Sequence, residues 1–140
     1  MDSPDDAESL RHEPLLRRFV PDSLSNQVPA TAFRPTENDT TGISVSLENL
    51  PDPIGRVLAM ARTPRERYSV CRFVLSGFDE LSVSRSPEPH DPGHGTIPEL
   101  APPYGKLKNS DARKIKLREW QAELVRRSTV IHFAGMTLSS

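Results

Sequence analysis

The sequence predicts an α+β domain: a small, mainly antiparallel sheet with two main helices packed on it and a disordered acidic N-terminus. Three observations support this. Ile43, Val45 and Leu47 alternate with Ser44 and Ser46, the period of a strand buried on one face. Tyr68 to Leu75 is rich in β-branched and aromatic residues, as strands are. Ile54, Val57, Leu58 and Ala61 recur at helical spacing, and Leu117, Trp120 and Leu124 do so farther on. Alternating rather than continuously apolar strands favour antiparallel pairing, with the helices on one side of the sheet.

Residues 1–13 are acidic, polar and without periodicity, the composition of a disordered leader. Leu15 to Val20 reads as a first strand ended by Pro21, and Pro21 to Pro29 as a polar connection. The strand at Ile43 to Leu47 follows an Asn38-Asp39-Thr40-Thr41-Gly42 turn. Asp52-Pro53 starts a helix, since Asp accepts a backbone bond as N-cap and Pro fits the first helical position. This helix runs to about Arg62 and is ended by Thr63-Pro64. After the strand at 68–75, Gly77 punctuates the chain and a shorter strand is expected at Leu81 to Ser84. Ser86 to Gly105 is rich in Pro, Gly and acidic residues, with an extended piece at Thr96 and Ile97. Ser110 caps a helix from Asp111 to Ser128, and 129–140 is a last short strand or a loose tail. One domain over 14–128 results, without internal repeats.

Composition narrows the function classes. At 140 residues the chain has one ordinary core. A net charge of −1 supplies no overall field for nucleic acid or an anionic membrane. The basic residues nevertheless concentrate between Lys106 and Arg127, where Lys108, Arg113, Lys114, Lys116 and Arg118 are nucleic-acid candidates. The single cysteine, Cys71, excludes an intramolecular disulfide, and its apolar neighbours make it a buried small hydrophobe. With no apolar signal segment and no apolar run near the length of a membrane span, the expected location is cytoplasmic.

Residues able to carry chemistry are few. Glu88-Pro89-His90-Asp91-Pro92-Gly93-His94 holds metal-ligand types, but its prolines and glycine prevent the helix that would align His90 with His94, so no metal site is expected. Arg17 and Arg18 are adjacent in a strand and point to opposite faces; an inward arginine needs a partner, either Asp39 or Glu48 or an anionic ligand. Nucleotide-binding glycine loops, nucleophile elbows and zinc-protease motifs are absent from the sequence. A Ser44, His94 and Asp91 triad can be drawn, with little specificity.

The order Leu16-Arg17-Arg18-Phe19, Ala32-Phe33-Arg34-Pro35, Asp39-Thr40-Thr41-Gly42-Ile43-Ser44-Val45, Tyr68 to Phe73 and Pro92-Gly93-His94 resembles a group of small uncharacterised bacterial proteins. The resemblance spans about Leu15 to Arg127 and implies a domain and a candidate surface but no reaction. The first-strand arginine followed by Thr31-Ala32-Phe33 is also similar to ADP-ribosyltransferase-like folds, where it implies contact with dinucleotide phosphates. The late-strand catalytic glutamate of such folds has no counterpart here, because Glu99 follows Pro98.

Three functions follow as expectations. The first is a non-catalytic domain that binds another protein in a complex or multi-gene system, with the polar groups around Arg17, Arg34, Asp39 and His94 exposed and scattered. The second is a nucleotide- or NAD-related enzyme or binder, its cleft lined by Arg17 or Arg18, Phe33, Ser44 and His94. The third is nucleic-acid binding through the basic 106–127 segment. Arg17, Arg18, Phe33, Arg34, Asp39, Ser44 and His94 are therefore the ligand-binding candidates.

Overall fold

Six strands form one antiparallel sheet in the computed structural model, which describes residues 10–21, 27–35, 41–59, 67–100 and 111–135, the side chains of 111–114 excepted. The strands are β1 (Leu15–Phe19), β2 (Ile43–Leu47), β3 (Ser69–Phe73), β4 (Ser84–Arg85), β5 (His94–Ile97) and β6 (Thr129–His132). Their spatial order is β4-β5-β2-β1-β3-β6, and every pairing is antiparallel. The helices are α1 (Pro53–Ala59) and α2 (Asp111–Arg127), with short 3₁₀ turns at Ala30–Phe33 and Pro98–Leu100.

The helices lie on opposite faces, which corrects the expectation that both cover one side. The reason is in the strands, where apolar residues stand next to each other as well as alternate. Leu15 and Leu16 are both fully buried, as are Val70 and Cys71, so each face has apolar surface to cover. Leu15, Phe19, Ile43, Val45, Leu47, Cys71 and Phe73 share the larger core with Trp120 and Leu124 of α2. Phe33, from the first 3₁₀ turn, meets Phe73 edge to face at 5.2 Å between ring centroids. On the other face Leu16 and Val70 meet Val57 and Leu58 of α1 in a smaller core.

Local sequence explains the start of α1. Pro53 occupies the first helical position, where no amide donor is needed. Asp52 before it has a φ of 54°, in the left-handed region, rather than the extended backbone of an ordinary N-cap. A Cβ on residue 55 would fall 2.3 Å from the Asp52 carboxylate, so Gly55 is the residue this turn accommodates. The expected continuation of α1 to Arg62 lies outside the described residues.

Three further boundaries differ from expectation. The strand expected at Leu81 to Ser84 is instead the two-residue β4 at Ser84–Arg85. Leu81 and Val83 are buried in the larger core, where they plug the space under a turn closed by the Leu81 amide on the Phe78 carbonyl. The leader is placed at its C-terminal end: Leu10 is buried in the same core, and Arg11 donates to the Asp79 carbonyl at 3.2 Å. Residues 1–9 lie outside the described residues. The segment expected to be loose from Ser86 to Gly105 is, as far as residue 100, more structured than its composition suggests, for Glu88 and Asp91 exchange two backbone hydrogen bonds in a tight turn that feeds β5. Among the described residues, no helix is long and apolar enough to cross a membrane.

Candidate functional site

The α1 face of the sheet is apolar on its β1 and β3 side and polar on its β2 and β5 side. Pairing puts Ser44 opposite Thr96 and Ser46 opposite His94, and residues directly opposite in a ladder share a face. α1 covers the β1 end of this surface, and the polar strip between β2 and β5 carries two hydrogen-bonded clusters.

The first cluster is built around Arg56, which the sequence reading missed. Its guanidinium is buried and makes five hydrogen bonds. Nε donates to the Pro51 carbonyl at 2.7 Å, Nη2 to the carbonyls of Leu47 and Leu50 at 2.7 and 3.0 Å. Nη1 donates to Ser46 Oγ at 2.8 Å and to Asp91 Oδ1 at 2.6 Å. Asp91 Oδ1 also accepts from Ser46 Oγ at 2.9 Å and from the Gly93 amide at 3.0 Å. The ion pair is almost fully enclosed, with Arg56 7% and Asp91 1% exposed. A charge held that deeply persists only when paired and hydrogen-bonded on all sides, and this one is. The cluster clamps the 88–94 loop onto β2 and α1. A Cβ at residue 93 would stand 2.8 Å from Arg56 Nη1, so glycine is what lets the loop close this tightly. The only sequence signal for Arg56 was its place beside the apolar stripe of α1; nothing local connects it to Asp91.

The second cluster begins at the next residue. His94 Nδ1 lies 2.9 Å from both the carbonyl oxygen and the hydroxyl of Ser86. A carbonyl only accepts, which places the proton on Nδ1 and leaves the Nε2 lone pair of the neutral ring facing the other way. There Ser44 Oγ stands 3.2 Å from Nε2 and donates its hydroxyl proton to it. Ser44 is half-buried, whereas His94 is 8% exposed. Ser44 and His94, fifty positions apart, are thus brought together by the β2–β5 pairing. Asp91 is not the third member of this row: its carboxylate faces Ser46 and Arg56, and Ser86 holds the imidazole instead.

Leu16, Arg17, Arg18, Ser44, Val45, Ser46, Val57, Asp91 and His94 line one small cavity. Its volume is about 10 Å³, about the least that one water needs. Arg17 also has a structural duty. The β1–β2 ladder stops at Leu16 opposite Ser46, and beyond it the Arg17 guanidinium joins the separating strands. Nη1 donates to the Ser44 carbonyl at 2.8 Å and Nε to the Ala32 carbonyl. Arg18 faces the α1 side, its guanidinium 6.0 Å from the centroid of the Tyr68 ring.

The remaining candidates are elsewhere. Phe33 is fully buried in the larger core on the opposite face, because the 3₁₀ turn directs it at Phe73, so it cannot line a cleft with Ser44 and His94. Arg34 is exposed just after that turn. Asp39 lies outside the described residues, and Glu48 pairs with Arg72 at 3.3 Å, not with Arg17 or Arg18. His90 is exposed in the turn; among the described residues no three His, Cys, Asp or Glu side chains form a metal-binding group. Glu99 accepts from the amide and hydroxyl of Ser82 at 2.9 and 2.7 Å. On α2, Lys116 pairs with Glu80 at 2.7 Å, which lowers the Glu80 carboxyl from its ordinary range. Arg126 and Arg127 both pair with Glu123, and Arg127 also donates to the Ser76 carbonyl at 2.9 Å. Trp120 is core, Arg118 is exposed, and Lys108 and the side chains of Arg113 and Lys114 lie outside the described residues. Compared with known proteins, the chain matches no family model, no curated protein and no solved structure.

Proposed function

We propose that the chain is a small binding domain whose working surface is the polar half of the α1 face, and that the cleft between Arg18, Ser44 and His94 takes one oxygen of an acidic group, a carboxylate or phosphate, at the end of a larger partner. The observation that carries this reading is convergence, where scattered and exposed groups were expected of a non-catalytic domain: Arg18 from β1, Ser44 from β2 and His94 from β5 share one face and line one cavity. Strands joined by a regular ladder hold such groups more rigidly than loops do, which is what recognition of a single group requires.

The size of the cavity sets the rest. Sites that enclose a whole cofactor run to about 300–1,000 Å³, far above the volume here, so the bulk of any partner stays outside. A protein that presents a terminal or side-chain acid fits this, and so does a nucleotide that inserts only one phosphate oxygen. The ADP-ribosyltransferase-like reading has less support, because Phe33 is on the far face and Glu99 is tied to Ser82. Nucleic-acid binding through α2 also has less support, since Lys116, Arg126 and Arg127 already have carboxylate partners.

Titration with inorganic phosphate and with acetate, followed by amide NMR, tests the proposal. Shifts centred on Ser44, Ser86 and His94 that weaken in Arg18→Ala and Ser44→Ala are expected. The absence of shifts there with both acids would refute it.

A further inference from the structure

We infer that Ser44 is a nucleophile, with His94 as its general base, and that the cleft carries out acyl transfer on an ester whose released acid is the carboxylate the cleft binds. The inference rests on the binding reading above and extends it from recognition to chemistry.

Three features of the geometry support it. The Ser44 hydroxyl is within hydrogen-bond reach of the one imidazole nitrogen that is free to accept its proton. The opposite nitrogen is fixed by the Ser86 carbonyl, so the ring has the tautomer and orientation that a base needs. The backbone on both sides is rigid: Ser44 lies within β2, while His94 opens β5 directly after the loop clamped by Arg56 and Asp91.

The step balances as follows. Ser44 Oγ bonds to the acyl carbon while its proton passes to His94 Nε2. The tetrahedral oxyanion forms in the cavity that Arg18 lines. Its collapse breaks the bond to the leaving alcohol, which takes the proton from Nε2. Water then attacks the acyl-Ser44 ester with the same base, giving the acid and restoring the hydroxyl. A carbonyl in the third position orients the imidazole but lacks the negative charge with which an aspartate stabilises the imidazolium. The pair therefore acts slowly on ordinary esters, and an activated phosphorus electrophile is the suitable probe.

A fluorophosphonate probe with the full chain makes the test. Attack by Ser44 forms the P–O bond, expels fluoride and leaves the proton on His94. One adduct per chain is expected, mapped to Ser44 by peptide mass spectrometry and absent in Ser44→Ala. Because a general base contributes about 10²–10⁴-fold, His94→Gln should slow labelling at least about a hundredfold and remove the pH dependence of its rate. As a second variant that preserves the side-chain size, Ser44→Cys should be alkylated by iodoacetamide faster than Ser44→Cys/His94→Gln. Circular dichroism of each variant reports its fold. No adduct, an adduct elsewhere, or equal rates with and without His94 overturn the inference. Acid titrations on the same samples separate the two claims: shifts at Ser44 and His94 without labelling overturn the nucleophile alone, while labelling without acid binding overturns the binding reading alone.

Discussion

Replacing Arg56 by methionine probes the clamp under the site. Methionine keeps much of the length and the apolar stem of arginine but none of its donors. Asp91, 1% exposed, then retains only the Ser46 hydroxyl and the Gly93 amide on its carboxylate. Removing one partner of a buried ion pair costs about 3–5 kcal/mol because the other charge is left uncompensated. The Pro51, Leu47 and Leu50 carbonyls lose their donor as well, which places the expected loss toward the upper end. Against a total stability of about 5–15 kcal/mol, this is a large fraction. For a chain of this size each kcal/mol moves the melting temperature by about 2–4 °C, so Arg56→Met should melt about 10 °C or more below the parent. Urea unfolding at pH 7, followed by circular dichroism, measures it, with Arg56→Met, Asp91→Asn and the double variant completing a cycle. The two single losses should exceed the double loss by at least about 1 kcal/mol, as expected for residues in direct contact. A loss below about 1 kcal/mol for Arg56→Met, or simple additivity, would refute the view that this pair holds the loop.

Other expected outcomes address neighbouring features. Gly93→Ala introduces a Cβ 2.8 Å from Arg56 Nη1; overpacking of this kind costs about 1–3 kcal/mol, and the amide signals of His94 and Ser86 should shift with it. Burial pushes the Cys71 thiol up to about 11, so it should resist a disulfide reagent at pH 8 in the folded protein and react at once in urea. Burial lowers the His132 imidazole below its ordinary value, so the unfolded chain takes up a proton there more readily than the fold. Stability should therefore be present above about pH 6.5 and fall as pH drops through the folded value. Comparing urea midpoints at pH 7.5 and 5.5 checks this, with His132→Gln expected to flatten the difference.

Elements legible from the sequence were those whose signal is local. The alternation at Ile43 to Leu47 gave the bounds of β2 as observed, and Asp52-Pro53 marked the start of α1. β1 and β3 appeared within two residues of the reading, because β-branched, aromatic and proline signals act over short windows. The expected strand at Leu81 to Ser84 failed for the opposite reason: Leu81 and Val83 are apolar because they fill the larger core, not because they join a ladder. The helices were found but assigned to one side, since the face each covers depends on which apolar residues of β1 and β3 remain unburied after pairing.

The site shows the same division. Ser44 and His94 were singled out by residue type and by turn and strand context, and Arg17 and Arg18 by position in a strand. By itself the sequence determined that these residues stand on short, stiff segments, because strand period and turn chemistry are written into neighbouring residues. Only the tertiary structure decided that Ser44 meets His94, that Ser86 braces the imidazole, and that Asp91 belongs to Arg56. It also decided that Phe33 is core. The meeting of Ser44 with His94 depends on the β2–β5 register, in which a shift of one residue would turn Ser44 to the other face. Register is set by the whole hydrophobic pattern of six strands and two helices at once, and no local stretch contains it.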